Sequence, residues 1–307
     1  MSSKKPMVSV TVVTYNSSEF VIETLDSIAA QTYQNLELVI SDDGSTDDTV
    51  AKCQDWARKN ESRFQNIQIL TVEKNTGLSA NLNRAYKACH GDWIKEFDGD
   101  DIMCPDCVES CVKYVEEHPD TVWLFGKMEG FGRSKDEVEE YMNRCYTYEF
   151  FKLSPKQQLE YLLFQGNCIA SPTGFINREK LFEIGVLNDE RIPLLDDYPK
   201  WINLLRKGVR FKFIDKVLLM YRLSDNSIST TTTPSQRAKQ SSALIYIYYK
   251  FKPRFHYYKS PIKKLGEVRK YIHAANTAWG GWFWKTMMVI DNGLAKILNA
   301  FGADFKM

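Results

Sequence analysis

Two acidic clusters in this sequence have the composition and spacing for chemistry: Asp42-Asp43-Gly44-Ser45 and Asp98-Gly99-Asp100-Asp101. Carboxylates at positions 98, 100 and 101, with Gly99 for the turn, make an oxygen-donor site for a hard divalent cation, Mn²⁺ or Mg²⁺. A cation with few protein ligands keeps open positions, which a bound diphosphate can fill. Two other readings fit the same residues. One is an exposed acidic turn. The other is a phosphatase-type strand-end Asp-x-Asp, although Asp101 stands where that chemistry places a small or hydroxyl residue. Asp42 and Asp43 suit either an ordinary strand-to-helix turn capped by Ser45 or Thr46, or a carboxylate accepting from the ring N–H of a base. In Asn75-Thr76-Gly77 with Asn81, Gly77 ends a loop, and the helix behind it presents backbone N–H groups of the kind that bind phosphate.

These residues need strand ends to hold them, and the hydrophobic pattern supplies strands. Val8 to Val13, Leu36 to Ile40, Ile67 to Val72 and Trp93 to Phe97 read as strands. Between them lie helical patterns: one with Val21, Leu25 and Ile28 on one face and Ser17 or Ser18 as cap, one over 47–60, and one marked by Leu78, Leu82, Ala85 and Tyr86. A further helix spans 105–118, so the order is βαβαβαβ and a largely parallel α/β sheet with right-handed crossovers is predicted. Such sheets bind ligands outside the carboxyl ends of their strands. Thr14-Tyr15-Asn16, Asp42-Asp43, Asn75-Thr76-Gly77 and Asp98 to Asp101 all fall there. Further along, residues 130–165 are charged and aromatic without clear periodicity. A strand is predicted at 173–176, a helix at 197–207 and two strands at 211–214 and 217–221. The Ser- and Thr-rich run 224–235 reads as a loop.

Composition narrows the class. The 307 residues are 44% hydrophobic, enough to build a core. The net charge of +1 is a cancellation: residues 241–307 hold eleven basic and three acidic side chains, a net +8, and residues 1–240 therefore carry −7. An acidic main body does not bind nucleic acid along its length, so an anionic ligand is met through a cation or by the tail. The start of the chain reads as a first strand rather than a signal peptide. No uncharged apolar run reaches about 18 residues, so no membrane span is predicted. Seven scattered cysteines suit a reducing cytoplasm. Cys104, Cys107 and Cys111 lie on one helical face, read as buried packing, with a zinc site as the alternative. The histidines, His90, His118, His256 and His273, are dispersed and none is assigned a catalytic role.

The segments VSVTVVTYN, ELVISDDGSTDDT, KNTGLSANLNRA, HGDWIKEFDGDD with Pro105, and DDYPKWINLLRKG resemble, in order over about residues 7–229, the family 2 glycosyltransferases. That resemblance implies an inverting nucleotide-sugar enzyme with a GT-A fold, a Rossmann-like, mostly parallel sheet flanked by helices. Its Asp-x-Asp implies Asp100 as principal ligand of Mn²⁺ or Mg²⁺, with Asp98 as partner and Asp101 beside them. It places the donor nucleotide against Thr14, Tyr15, Asn16, Asp42, Asp43, Asn75, Gly77, Asn81, Asp98 and Gly99. Its Glu-Asp motif falls on Asp196-Asp197, which makes Asp197 the general base and Asp196 a departure from Glu. Inversion is one in-line displacement, needing a single base at the acceptor hydroxyl and a cation on the leaving diphosphate. Asp197 at a helix N-terminus has a dipole that favours its ionised form; a simple N-cap is the other reading. Family members often carry His where this chain has Ser224, which passes any such contact to Arg222 or removes it. Arg222 otherwise reads as a surface strand end.

The domain organisation expected is a catalytic unit over 1–236, its nucleotide half 1–128 and acceptor half 129–236, followed by a helical extension over 237–307. Residues 250–270 hold eight basic side chains, and Trp279, Trp282, Trp284, Met287, Ile290 and Leu298 follow, interrupted by Lys285, Asp291 and Lys296. This pattern suits amphipathic helices lying on an anionic inner membrane face. Packing on the catalytic unit, or in a homodimer, is the alternative, and single-stranded nucleic acid is disfavoured. The function expected is transfer from a UDP- or dTDP-sugar to a saccharide, lipid-linked, in surface polysaccharide synthesis (O-antigen, capsule or exopolysaccharide). The site would be cytoplasmic and peripheral on the membrane. A non-catalytic glycan-binding subunit of the same fold and a metal-dependent nucleotidyltransferase or phosphatase are the other classes.

Overall fold

The computed structural model describes residues 5–192 and 196–224. The boundary at 236, the extension 237–307 and the run 225–235 lie outside them. Four strands rich in Val and Ile come first: β1 (Val8–Thr14), β2 (Leu36–Asp42), β3 (Asn66–Leu70) and β4 (Trp93–Asp98). They pair in parallel in the order β3-β2-β1-β4. Helices α1 (Val21–Ala29), α2 (Thr49–Asn60) and α3 (Leu78–Ala88) make the crossovers. Every residue of β1 and β2 is buried, as parallel strands covered on both faces must be.

The second half extends the sheet. A two-residue β5 (Ile102–Met103) leads to α4 (Cys107–Glu117), β6 (Trp123–Phe131), α5 (Lys135–Cys145), α6 (Pro155–Gln165), β7 (Phe175–Asn177), α7 (Arg178–Ile184), α8 (Asp197–Arg206) and β8 (Phe211–Arg222). The full order is β3-β2-β1-β4-β7-β6-β8-β5. β7 runs antiparallel to β4 and β6, while β8 runs parallel to β6 and antiparallel to β5. The parallel order predicted for the first half is found, and the sheet as a whole is mixed.

Strand periodicity sorts the core into two clusters, one on each face. Val8, Val10, Val12, Leu38 and Ile40 pack with α1, α2 and α4. Val13, Val39, Ile94, Trp123 and Phe125 pack with α3, α6 and α8. Cys107 and Cys111 are wholly buried in the first cluster, on the packing face read for them.

Several elements differ from the sequence reading. The segment 130–165, read as irregular, contains the end of β6, α5 and α6. Both helices open with a capping box, Ser134 with Glu137 and Ser154 with Gln157. That S-x-x-E/Q spacing was legible, and in α5 Val138, Tyr141, Met142 and Cys145 also recur at helical spacing. The strand expected at 173–176 begins at Phe175, because Pro172 initiates a 3-10 turn over Ser171–Thr173. The two strands expected at 211–214 and 217–221 are one strand. Between Phe125↔Phe213 and Lys127↔Val217, one residue of β6 stands against three of β8, a bulge that breaks the periodicity. Neither Ser17 nor Ser18 caps α1 through its side chain; the Ser17 carbonyl accepts from Phe20 and Val21 instead.

Candidate active site

The first four strands deliver their polar ends to one side of the sheet. Asp42, at the end of β2, accepts Thr14 Oγ1 at 2.9 Å, the N–H groups of Gly44 (3.1 Å) and Ser45 (2.8 Å), and Ser45 Oγ at 2.5 Å. Four donors fill the lone pairs of one carboxylate. Asp42 is 1% exposed, so the base-binding expectation for it is corrected: it builds the turn. Asp43 reaches the loop before α3, accepting from Thr76 N–H (3.0 Å), Thr76 Oγ1 (2.5 Å), Gly77 N–H (2.8 Å) and Arg84 Nη2 (3.4 Å).

Those contacts close the loop ahead of α3, where the Thr76 and Gly77 N–H groups are taken by Asp43. Asn75 Oδ1 also accepts from Gly77 N–H at 3.1 Å, shaping the turn at a residue with φ +92°. Asn81 is corrected likewise. It is 1% exposed, its Oδ1 accepting from Ser41 Oγ (2.6 Å) and Arg84 Nη1 (2.9 Å) and its Nδ2 donating to the Thr14 carbonyl (3.3 Å). Asn81 and Arg84 therefore tie α3 to the ends of β1 and β2. Asn16 holds a left-handed backbone, φ +51°, its Oδ1 accepting from Thr46 N–H at 2.9 Å. Beside it Tyr15 stands 49% exposed, an unusual position for a large aromatic ring.

Asp98 ends β4, and Gly99 lets the next peptide lie against β1: a Cβ there would come within 2.8 Å of Thr14 Cγ2, and Gly99 N–H donates to the Val13 carbonyl at 3.1 Å. Asp98 and Asp100 are half-buried. Burial, then the charges of Asp100, Asp196 and Glu96, push the Asp98 carboxyl up to about 8, with Lys95 opposing. Burial raises Asp100 as well, and Arg222 opposes it. Asp101 departs from its expected role. It is wholly buried, Oδ1 accepting from Arg222 N–H at 2.8 Å and Oδ2 unpartnered, so it anchors the end of β8. Among the described residues no group of three His, Cys, Asp or Glu side chains converges as a metal cage. What remains is a pair of oxygen donors, Asp98 and Asp100, whose mutual repulsion a hard cation would relieve, with most of its shell open. That donor set fits Mn²⁺ or Mg²⁺ held jointly with a diphosphate.

Arg222 is no surface strand end. Its guanidinium lies 4.4 Å from the ring centroids of both Phe20 and Phe131, Nε donates to the Asp100 carbonyl at 2.7 Å, and Nη2 pairs with Glu23. Asp196 and Asp197 open α8, Asp197 as its first residue. Asp197 Oδ2 accepts from Asn167 Nδ2 and Oδ1 from Tyr198 N–H, both at 2.6 Å. Burial raises its carboxyl, with Asn167 and Lys200 opposing. Burial and the adjacent Asp197 push Asp196 up to about 7. The Lys200–Glu96 ion pair, at 3.1 Å, brings the start of α8 against β4, and the Asp196 charge is among those that raise Asp98. Asn167, Glu96, Lys200 and Tyr86 were missed from sequence; Glu96 and Lys200 lie inside HGDWIKEFDGDD and DDYPKWINLLRKG, but at interior strand and helix positions to which those motifs give no role.

An eight-stranded sheet with acidic residues at the ends of β2 and β4 and a carboxylate pair opening a late helix defines the GT-A class of glycosyltransferases. The sequence model described as Glycosyl transferase family 2 matches residues 9–185, more than half of the chain, and the chain belongs to that family. It is a transferase. It is 25% identical over 232 residues to the putative teichuronic acid biosynthesis glycosyltransferase TuaG of Bacillus subtilis (strain 168), covering 75% of this chain and 84% of that one. EpsJ of the same organism, an uncharacterized glycosyltransferase, is 29% identical over 73% of this chain and 63% of its own. In fold the chain is similar to S. aureus TarS 1-349 in complex with UDP-GlcNAc (TM-score 0.60, 18% identity, 87% of this chain and 81% of that one). It is also similar to the mannosyltransferase PcManGT of Pyrobaculum calidifontis in complex with GDP-Man and Mn²⁺ (TM-score 0.61, 18% identity, 97% and 84%).

Proposed function

We propose that the chain transfers a sugar, with inversion, from a UDP- or dTDP-sugar to a saccharide acceptor during surface polysaccharide synthesis. The observation that carries this reading is the approach of the start of α8, with Asp196 and Asp197, to the end of β4 that bears Asp98, the two elements being joined by the Lys200–Glu96 pair. The solved relatives of the same fold that hold UDP-GlcNAc, or GDP-Man with Mn²⁺, support it, as does the likeness to TuaG. Asp98 and Asp100 would hold the cation, which would supply positive charge to the leaving diphosphate. Tyr15 offers its exposed ring to the base, over the loop that Asp43 holds through Thr76, Gly77 and Arg84. Thr14, Asn16 and Gly99 shape the wall between them. Asp197 accepts the proton of the acceptor hydroxyl as that oxygen attacks the anomeric carbon, while Asn167 fixes which oxygen faces the acceptor.

The acceptor is lipid-linked in this reading, and the basic, Trp-rich residues 250–301 hold the enzyme on the anionic inner face of the membrane. Among the described residues no helix is long and apolar enough to cross a membrane. Thermal shift with a panel of nucleotide sugars, with and without Mn²⁺, tests the donor assignment: stabilisation by a UDP- or dTDP-sugar that needs the cation is expected, and none by any nucleotide sugar would refute it. Release of nucleoside diphosphate, rather than pyrophosphate or inorganic phosphate, separates transfer from nucleotidyl or phosphatase chemistry. Deleting residues 250–307 should release the protein from the membrane fraction, and retention there would refute the anchoring role.

A further inference from the structure

Helix α8 buries one face against the sheet, with Tyr198, Trp201, Ile202, Leu204 and Leu205 as expected of a packing stripe, but with Lys200 among them at 1% exposure. Opposite it on β4 lies Glu96, 3% exposed. Lys200 Nζ donates to Glu96 Oε1 at 3.1 Å and to Tyr86 Oη at 3.2 Å, and the Tyr86 hydroxyl donates to the same Glu96 oxygen. The ammonium sits within 4.6 Å of the Trp201 ring centroid, 5.2 Å of Trp123 and 5.5 Å of Tyr86. Glu96 Oε2 has no hydrogen-bond partner. Desolvating two charges costs several kcal/mol per ion, and a pair with a bare carboxylate oxygen recovers that incompletely; well-packed apolar residues generally serve stability as well or better. Stability alone therefore does not account for this pair.

Its position does. Glu96 precedes Asp98 by two residues, on the same face of β4. Lys200 follows Asp197 by three, one helical turn on. The ion pair thus joins, one step below the crevice, the strand that carries the cation ligands to the helix that carries the base. The neighbouring ring contacts of Trp201 with Trp123 and Phe125 are apolar and set the spacing without fixing the register. Lys200 is also the positive charge that opposes the rise in both Asp196 and Asp197.

We propose that Lys200, clamped by Glu96 and Tyr86, is a positioning residue for the reaction, holding the Asp196-Asp197 turn against the acidic end of β4 and offsetting the repulsion between them. This rests on Asp197 being the base. The test uses the full chain and four variants: Lys200→Met, Glu96→Gln, the double variant of both, and Lys200→Arg. Melting temperature, affinity for UDP with Mn²⁺, and turnover of whichever UDP-, dTDP- or GDP-sugar the wild type cleaves fastest, water counting as acceptor, are measured for each. Each single neutral variant should melt lower, having stranded a buried charge, and the double variant should recover much of the loss. UDP affinity should stay within about twofold, while kcat falls by about 10²-fold in the double variant despite its recovered fold, the scale of a small misplacement of reacting groups. Lys200→Arg should keep more turnover than Lys200→Met. A double variant with wild-type kcat would overturn the proposal. If the double variant does not fold, Glu96→Gln with wild-type kcat overturns it equally. Asp197→Asn with undiminished turnover would instead remove the base assignment beneath it.

Discussion

Arg222, the last residue of β8, donates from Nε to the backbone carbonyl of Asp100 at 2.7 Å, joining residues 122 apart in sequence. The guanidinium lies between the rings of Phe20 and Phe131, and its backbone N–H holds Asp101. The acidic loop is thus held from below by β1 through Gly99 and from the side by β8. A loop fixed in this way would present the Asp98 and Asp100 carboxylates to a cation with little reorganisation.

Replacing Arg222 by Ala should therefore weaken cation-dependent UDP binding, by about tenfold for the loss of a charge-assisted contact, with the far-ultraviolet circular dichroism unchanged. Lys should not restore it, because an ammonium has neither the planar fork nor the flat face that fits between two rings. Titration calorimetry with UDP and Mn²⁺ checks this; full affinity in Arg222→Lys would contradict it.

Much of the nucleotide half was legible because its signals are local. Val8 to Val13 and Leu36 to Ile40 are apolar runs, and the acidic clusters follow strands directly. What was misread depends on distant partners. Asp42 and Asn81 look like ligands in sequence and become scaffold because Thr14, Ser41 and Arg84 fold onto them. Asp101 turns inward because β8 returns beside β5. Lys200 lies within a helical pattern, and nothing local says that its charge meets Glu96.

Gly174 packs against Glu96, and a Cβ at that position would fall on Glu96 Oε2 and within 3.2 Å of Trp123 Nε1. Gly174→Ala should destabilise the fold by about 1–3 kcal/mol through overpacking. Chemical denaturation measures it, and a variant as stable as wild type would show that the Glu96 pocket yields easily.

Glu37 lies 1% exposed at the opposite end of the sheet. Burial pulls its carboxyl up, but Ser9, His90 and Asn66 together hold it below its ordinary 4.5. A group depressed in the folded state adds stability that is complete above its unfolded pKa and is lost as the pH falls through the folded value. Melting curves from pH 7 to pH 3 should show Glu37→Gln less stable than wild type at neutrality, with the gap closing in acid. A gap independent of pH would contradict that role.

The central claim is that Asp197 removes the acceptor proton while Asp98 and Asp100 serve the leaving group. The direct measurement is turnover beside UDP–Mn²⁺ affinity for Asp197→Asn and Asp100→Ala. Asp197→Asn should bind as wild type does and lose about 10²–10⁴-fold in kcat, the range of a general base, and Asp100→Ala should lose cation-dependent binding itself. Undiminished turnover in Asp197→Asn would contradict the account.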